Sequence, residues 1–167
     1  MVKIKQAVFD TGPLIHLHEI NKLRLLELFQ RILITPEILK ECEGIKNSIR
    51  ELKNLEEKNL SGKNKDLAKY LINRHNLHLG ESTGIALCHQ ELIKLFFTDD
   101  LDAKQVAKNL GFESHGTIAI ILRSWRNRKL TKKEVKETIE DLYSSSSLFL
   151  TSDLKEWVLD EVERFGK

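Results

Sequence analysis

The chain has 167 residues, 41% of them hydrophobic, which suits one globular domain with a substantial core. Its 27 basic and 25 acidic residues leave a formal net charge of +2, which neither demands nor forbids a nucleic-acid partner. Cys42 and Cys88 have no metal-type spacing, and we find neither a secretory leader nor an apolar run of the roughly 20 residues that cross a bilayer. We therefore expect a soluble, cytoplasmic protein with reduced thiols and no membrane partner.

The first part of the chain alternates short apolar runs with helix signals. A strand is predicted over about residues 4–9, and the next helix begins at Thr11-Gly12-Pro13, because proline is tolerated in a first helical turn. A helix near 22–29 leads to a second strand at 31–35. Thr35-Pro36 then provides a cap and a proline for another helix start.

The middle of the chain, from about residue 43 to 78, is polar and helix-prone. A turn cluster at 59–64 divides it into two helical stretches. We predict that this segment is a helical insert in a core formed by residues 1–128.

The remaining sequence continues the alternation and ends in helices. The predicted elements are a helix over 80–93, a strand at 95–98, a helix over 103–110, a short strand near 112–114 and a helix from Gly116 to about 128. Thr131 with Glu134 matches a capping box, and Ser152 or Asp153 can cap a last helix, so 129–167 is predicted to be a helical C-terminal extension. The alternation predicts an α/β fold, a three-layer α/β/α sandwich with a mainly parallel sheet, within a single domain of residues 1–167.

Carboxylates follow two of the predicted strands. Asp10 comes directly after the first strand, where it can also serve as an Asx turn or a cap for the next helix. A cluster of three follows the strand at 95–98: Asp99, Asp100 and Asp102. Both strands are short and apolar, as buried parallel strands are, and ligands of such sheets bind outside the carboxyl ends of the strands. Alternation along an extended chain places Asp100 and Asp102 on one side and Asp99 on the other, unless Asp99 caps the following helix.

Two glutamates lie on predicted helices. Glu81 shares a helix face with Ile85 and Cys88, so it lies on the inward stripe. A first-turn glutamate also interacts favourably with the helix dipole, but that interaction would not require the inner face. Glu41 shares a face with Ile38, although most helical glutamates are simply solvated.

Convergence of three or four carboxylates at one sheet edge has a chemical consequence. The carboxylates would repel one another unless a cation neutralised them. Ligand sets made only of oxygen suit Mg²⁺ or Mn²⁺, which can convert bound water into a nucleophile. The sequence therefore predicts a divalent-metal site.

These residues resemble the PIN-domain family, the nuclease fold that includes the VapC-like toxins of toxin–antitoxin pairs. The likeness is carried in chain order by Val8 through Ile15, Pro36 with Glu41 five positions later, Gly80 through Ala86, Phe97 through Asp100, and Gly111. A further likeness is to an uncharacterised prokaryotic branch of the family, in which a Gly-Thr pair follows the last acidic motif. Gly116-Thr117 occupies that place here.

The resemblance implies a Mg²⁺- or Mn²⁺-dependent endoribonuclease that hydrolyses phosphodiester bonds in RNA. The implied catalytic acids are Asp10, Glu41, Glu81 and Asp100. Asp10, Glu81 and Asp100 would hold the metal, with Asp99 and Asp102 as rivals for the last position, and Thr117 would orient water or an acid. The resemblance further implies a homodimer and, if the protein is a toxin, an antitoxin partner.

A basic run with an aromatic residue is the candidate RNA-binding surface. It contains Arg123, Trp125, Arg126, Lys132 and Lys133. Trp125 could stack on a base and the cations could contact phosphates. Basic residues at helix ends are also commonly solvated, so this assignment competes with a purely structural one.

Two other functions compete with the nuclease. A haloacid-dehalogenase-type phosphatase would require an aspartate two positions after Asp10, where this chain has Gly12. A non-catalytic PIN-like module that binds RNA or protein is the stronger alternative. A zinc site among the histidines has no evident third ligand, and no glycine-rich nucleotide loop is present.

Overall fold

The computed structural model describes residues 4–165 and contains a five-stranded parallel sheet. The strands are β1 (Ile4–Phe9), β2 (Phe29–Ile34), β3 (Leu55–Glu57), β4 (Leu95–Phe97) and β5 (Glu113–His115). Their order is β3-β2-β1-β4-β5, and every neighbouring pair is parallel. This architecture confirms the predicted three-layer α/β/α sandwich.

Helices connect the strands and complete the chain. The α-helices are α1 (Thr11–Glu19), α2 (Pro36–Glu41), α3 (Lys46–Arg50), α4 (Gly62–His75), α5 (Leu79–Glu91), α6 (Leu101–Asn109), α7 (Thr117–Arg126), α8 (Lys132–Ser145) and α9 (Ser152–Phe165). Short 3₁₀ segments cover Leu23–Leu28 and Glu43–Ile45. Within residues 4–165, no helix has both the length and the apolar character needed to span a bilayer.

The two faces of the sheet carry separate hydrophobic cores, because successive side chains of a strand point to opposite faces. Ala7 and Phe9 belong to one core, which also includes residues of α1, α7, α8 and α9. Val8 belongs to the other, with residues of α4, α5 and α6. The rings of Phe9 and Phe97 stack with centroids 4.8 Å apart and so join β1 to β4 within the first core. The C-terminal helices thus share the core of β1.

The segment predicted as a helical insert is the main difference from expectation. Besides α3 and α4 it contains β3, which pairs with β2 at the edge of the sheet. The sequence Leu55-Glu56-Glu57 contains no apolar run, and none is needed in an edge strand whose first two residues are half-buried and whose last is exposed. The helix expected near 22–29 is a 3₁₀ segment, and β2 begins directly after it at Phe29.

The order of the strands defines where a ligand can bind. From β1 the chain passes to β2 on one side, whereas β4 lies on the other side of β1. Such a reversal leaves a crevice beyond the carboxyl ends of the central strands. Asp10 follows β1 and Asp99 follows β4 at that edge.

Candidate active site

A cleft of about 510 Å³ opens at the carboxyl ends of β1 and β4. The acids among its lining residues are Asp10, Glu41, Glu81, Asp99 and Asp100. Five of the six predicted carboxylates therefore share one cleft. A larger cavity of about 670 Å³ lies around Phe29 and Gln30 at the amino end of β2, and it contains none of the predicted site residues.

Asp10 is the most deeply buried of these acids, with 5% of its surface exposed. Its N–H donates to the Phe97 carbonyl at 2.8 Å, and the Thr98 hydroxyl donates to its Oδ2 at 2.8 Å. Burial raises the pKa of Asp10 to about 7; hydrogen bonds from Thr98 and Thr11 oppose the rise, and the negative charges of Glu81 and Glu41 add to it. At this position an ionised carboxylate gains much from a neighbouring cation.

Glu41 ends α2 and is held by two protein donors. The Thr11 hydroxyl donates to Oε2 at 2.6 Å, and the Gly80 N–H donates to Oε1 at 3.0 Å. The start of α2 is set by Thr35, whose hydroxyl accepts from the Ile38 N–H at 3.2 Å. A Cβ at Gly80 would lie 2.5 Å from Glu41 Oε2, so only glycine permits this approach.

Glu81 combines the two interpretations that the sequence left open. It is 8% exposed and shares a buried face of α5 with Ile85 and Cys88. Its Oε2 accepts from the His78 N–H at 2.8 Å, and its Oε1 lies 3.4 Å from His78 Nδ1. Glu81 therefore caps the start of α5 and also lines the cleft.

Asp99 has both carboxylate oxygens occupied by protein donors. The Thr117 N–H donates to Oδ1 at 2.7 Å, its hydroxyl donates to Oδ2 at 2.5 Å, and His16 Nδ1 donates to Oδ2 at 2.6 Å. Burial alone would raise the pKa of Asp99, but the hydrogen bonds from His16 and Thr117 and the charge of His16 hold it below its ordinary value. Thr117 thus orients an acid at the start of α7, which is one of the two placements expected of it.

Asp100 and Asp102 differ in position. Asp100 is exposed, lines the cleft, and caps α6 through its Oδ1, which accepts from the Ala103 N–H at 2.8 Å. Asp102 is exposed in the first turn of α6 and is not among the cleft residues. The alternative in which Asp99 caps this helix was wrong, since Asp100 is the cap. The alternation that would place Asp100 and Asp102 on one side does not apply, because β4 ends at Phe97.

The donor chemistry of the cleft fits Mg²⁺ or Mn²⁺, since carboxylate oxygens converge there. As they stand, however, no three His, Cys, Asp or Glu side chains of the described residues 4–165 form a group able to hold a metal ion. Glu41, Glu81 and Asp100 each direct an oxygen to a backbone N–H. A carboxylate has two oxygens and about four lone-pair sites, so these hydrogen bonds leave each acid with capacity to bind an ion.

Comparison with known families agrees with this architecture. The model of the DUF3368 family, a PIN domain, matches residues 6–164. The chain belongs to the PIN-domain family. This confirms the family resemblance, and PIN domains are in general nucleases. A search of curated proteins found no match.

The family assignment also decides one of the competing functions. The haloacid-dehalogenase interpretation rested on Asp10 and on Thr98-Asp99-Asp100. Both segments belong to the matched PIN domain, and the phosphatase is no longer needed to explain them.

Apart from Arg123, the residues of the predicted RNA-binding run are not placed at the acids of the cleft. α7 begins at Thr117 beside Asp99, and Arg126 is nine residues further along, about 13 Å down the helix axis. Trp125 is partly buried and packs against the core. Lys132 Nζ lies 2.5 Å from a Glu163 carboxylate oxygen, so this cation is already paired with α9.

A second basic cluster surrounds His115 of β5 and shares Arg123 with that run. It comprises Lys104, Lys108, His115 and Arg123, and we call it the β5 basic cluster. Lys104 Nζ lies 3.0 Å from the position that a Gly116 Cβ would occupy, next to Asp99. Burial lowers the pKa of His115; Glu113 opposes this, and the charges of Arg123, Lys108 and Lys104 lower it further.

Two residues that shape the cleft, His16 and Phe149, were not expected there from the sequence. His16 was weighed only as a zinc ligand, yet it is bonded to Asp99 across 83 positions of the chain. Gly80 and Gly116 each directly precede a site residue, and both belong to segments that carry the family resemblance. Nothing in the sequence indicated the cleft contact of Phe149, which lies in the C-terminal extension.

Proposed function

We propose that this PIN domain is a divalent-metal-dependent endoribonuclease that hydrolyses phosphodiester bonds in RNA, with Mg²⁺ or Mn²⁺ as cofactor. The observation that carries the proposal is the buried carboxylate of Asp10, whose pKa is raised to about 7 by burial and then by Glu81 and Glu41 in the same cleft. Perturbed acids of this kind cluster at functional sites. A cation would relieve both the burial penalty and the repulsion.

In this proposal Asp10, Glu81 and Asp100 hold the ion, and Glu41 either contacts the ion or steers the attacking water. A bound divalent ion would supply a nucleophile by lowering the pKa of water and would neutralise charge on the phosphate. Asp99 has a structural role instead, since its oxygens already accept hydrogen bonds from Thr117 and His16.

A hydrogen bond from Thr98 positions Asp10 for this role. The Thr98 hydroxyl donates to Asp10 Oδ2, which fixes that oxygen and favours the ionised form. Thr98 Oγ1 also accepts from the Asp100 N–H at 3.2 Å, so one hydroxyl links the two acids. The carboxylate of Asp10 and the backbone of Asp100 are therefore held in place before any substrate binds.

The β5 basic cluster supports an anionic strand as the substrate. Lys104 and Lys108 are four residues apart on α6 and so lie on one face, and the structure assigns neither an ion-pair partner among the described residues. Phosphates flanking the scissile bond would meet these cations. The run of Arg123, Trp125, Arg126, Lys132 and Lys133, which shares Arg123 with this cluster, stays a prediction for RNA contact.

One observation favours the alternative of a non-catalytic PIN-like module that binds RNA or protein. Glu41, Glu81 and Asp100 already accept hydrogen bonds from backbone N–H groups. In the described part of the chain, no three His, Cys, Asp or Glu side chains form a group that could hold a metal ion. The toxin role, the antitoxin partner, the homodimer and the cytoplasmic location rest on the resemblance to VapC-like proteins.

Cleavage of structured and unstructured RNAs by the purified chain, with Mn²⁺ or Mg²⁺ and with a chelator, tests the proposal. The Asp10→Asn, Asp100→Asn double variant should lose cleavage, and so should the chelated wild type. Asp102→Asn is the matched control, because Asp102 is an exposed acid of the same segment outside the cleft. Full activity of the double variant, or loss of activity in Asp102→Asn alone, would contradict the assignment.

A further inference from the structure

The loop between α8 and α9 forms one wall of the acid cleft. Ser147, Leu148 and Phe149 line the same cleft as Asp10. Ser147 fixes this wall to α1, because its N–H and its hydroxyl donate to the Glu19 carboxylate at 3.0 and 2.7 Å. The C-terminal extension therefore contributes a fixed surface to the site.

Phe149 is the exposed hydrophobic residue of this wall. Its side chain is 86% exposed, whereas its neighbours Leu148 and Leu150 are partly buried and pack against the core. Burial of the two leucines sets the course of the loop and leaves the Phe149 ring outside the core. Among the described residues that line the cleft, Phe149 is the only Phe, Tyr or Trp.

We propose that Phe149 is a stacking platform for one unpaired nucleobase of the RNA strand whose phosphodiester lies at the acids. This inference rests on the proposed nuclease function and assigns it a base-binding subsite. Aromatic side chains stack on bases of any sequence, since every base presents a π-face. The Ser147–Phe149 wall carries no charge, so it suits a base, while the phosphates lie towards the β5 basic cluster.

A nucleobase fits this feature better than a protein partner does. One exposed ring, set between a cleft of carboxylates and a run of four serines at 144–147, offers little of the roughly 800 Å² per partner that a stable protein interface buries. A base needs only a single ring face. Because bases within a duplex are already stacked on one another, the subsite also predicts a preference for single-stranded RNA.

The test measures binding in an Asp10→Asn background, so that RNA is not consumed. The probe is a fluorescein-labelled single-stranded oligoadenylate with Mg²⁺, followed by fluorescence anisotropy. Phe149→Ala should weaken binding by about five- to 150-fold, and Phe149→Trp should preserve it. Trp157→Ala is the control, because Trp157 is 59% exposed on α9 and does not line the cleft.

A second set of probes removes one base at a time. An abasic position moved along the oligoadenylate should weaken binding at one place on the strand for the Phe149 protein. The Phe149→Ala protein should be insensitive at that same place, because the partner of the missing base is already gone. This coupling would not arise from a general loss of stability.

The outcomes separate this inference from the nuclease proposal. If Phe149→Ala binds RNA as tightly as its parent while the wild type cleaves RNA with metal, the stacking subsite is overturned and the nuclease stands. If the wild type neither binds nor cleaves RNA, both fall. If Phe149→Ala instead changes the sedimentation of the protein alone and leaves RNA affinity unchanged, the loop is a contact between chains and the stacking subsite is overturned.

Discussion

The carboxylate of Glu41 lies directly against the backbone of Gly80, whose N–H donates to Glu41 Oε1 at 3.0 Å. A Cβ at Gly80 would be 2.5 Å from Glu41 Oε2, and a Cβ at Gly116 would overlap Asp99 Oδ1. Both glycines therefore admit a carboxylate where any other residue would displace it. The geometry of the acids depends on backbone positions that carry no chemistry of their own.

Gly80→Ala should displace Glu41 and reduce RNA cleavage on the order of a hundredfold, because a misplacement of about 1 Å at a reacting centre has an effect of that size. The measurement is initial cleavage rate with saturating Mn²⁺, together with circular dichroism to confirm the fold. Gly62→Ala is the matched control, since nothing lies within 4 Å of a Cβ at Gly62, the first residue of α4. Equal rates for the two variants would show that Glu41 need not stay in place.

Asp100→Asn should weaken Mn²⁺ binding by tenfold or more in a calorimetric titration, whereas Asp99→Asn should chiefly lower stability, by about 1–3 kcal/mol. The reason is that Asp99 already accepts three hydrogen bonds from His16 and Thr117, whereas Asp100 accepts one, from the Ala103 N–H through a single oxygen. Thermal unfolding in chelator supplies the stability difference. A loss of Mn²⁺ affinity confined to Asp99→Asn would reverse this assignment of the two neighbours.

The sequence predicted four of the five strands of the described residues and missed β3. β1 and β4 are apolar and end at an acid, so their pattern indicates both a strand and its carboxyl end. β3 has the sequence Leu-Glu-Glu and is fixed by tertiary contacts, among them Asn54 Nδ2, which donates to the Phe29 carbonyl at 2.8 Å. A three-residue edge strand held by such contacts is too short for its sequence to show the alternation of a strand.

The site residues could be predicted where the local sequence around a single residue is informative. Asp10 and Glu81 were identifiable because an acid beside an apolar strand, or on the inner stripe of a helix, conflicts with its surroundings. The bond between His16 and Asp99 could not be identified, because it joins residues 83 positions apart whose local patterns are ordinary. The same holds for Phe149, which reaches the cleft only through the packing of the C-terminal extension.

Asp10→Asn should stabilise the metal-free protein, and more so as the pH rises. The folded pKa of Asp10 is about 7 against an ordinary 3.8, so the folded state retains a proton that the unfolded state has lost between those values. The raised pKa of Asp10 therefore destabilises the wild type progressively from about pH 3.8 to about pH 7, and above about pH 7 the full destabilisation is present. In chelator, the melting temperature of Asp10→Asn minus that of the wild type should therefore grow across this window.

Added Mn²⁺ provides the control for that pH dependence. Above about pH 7 the ion should raise the melting temperature of the wild type, because it binds the folded carboxylate, and should raise that of Asp10→Asn far less. A melting-temperature difference that is constant with pH would mean that Asp10 does not titrate in this window.

Lys104→Gln, Lys108→Gln should weaken binding of a single-stranded oligoribonucleotide and reduce the slope of log affinity against log salt by about 1–2, since each lost phosphate contact lowers the slope by roughly 0.7. Lys132→Gln, Lys133→Gln is the matched pair of equal charge change. It should alter the slope less, because Lys132 pairs with Glu163 and Lys133 lies 3.7 Å from a Glu137 oxygen. Anisotropy titrations at several salt concentrations in the Asp10→Asn background measure both. If the second pair reduces the slope and the first does not, the RNA backbone follows the run from Arg123 to Lys133, and the strand must leave the acid cleft along α7 instead of across β5.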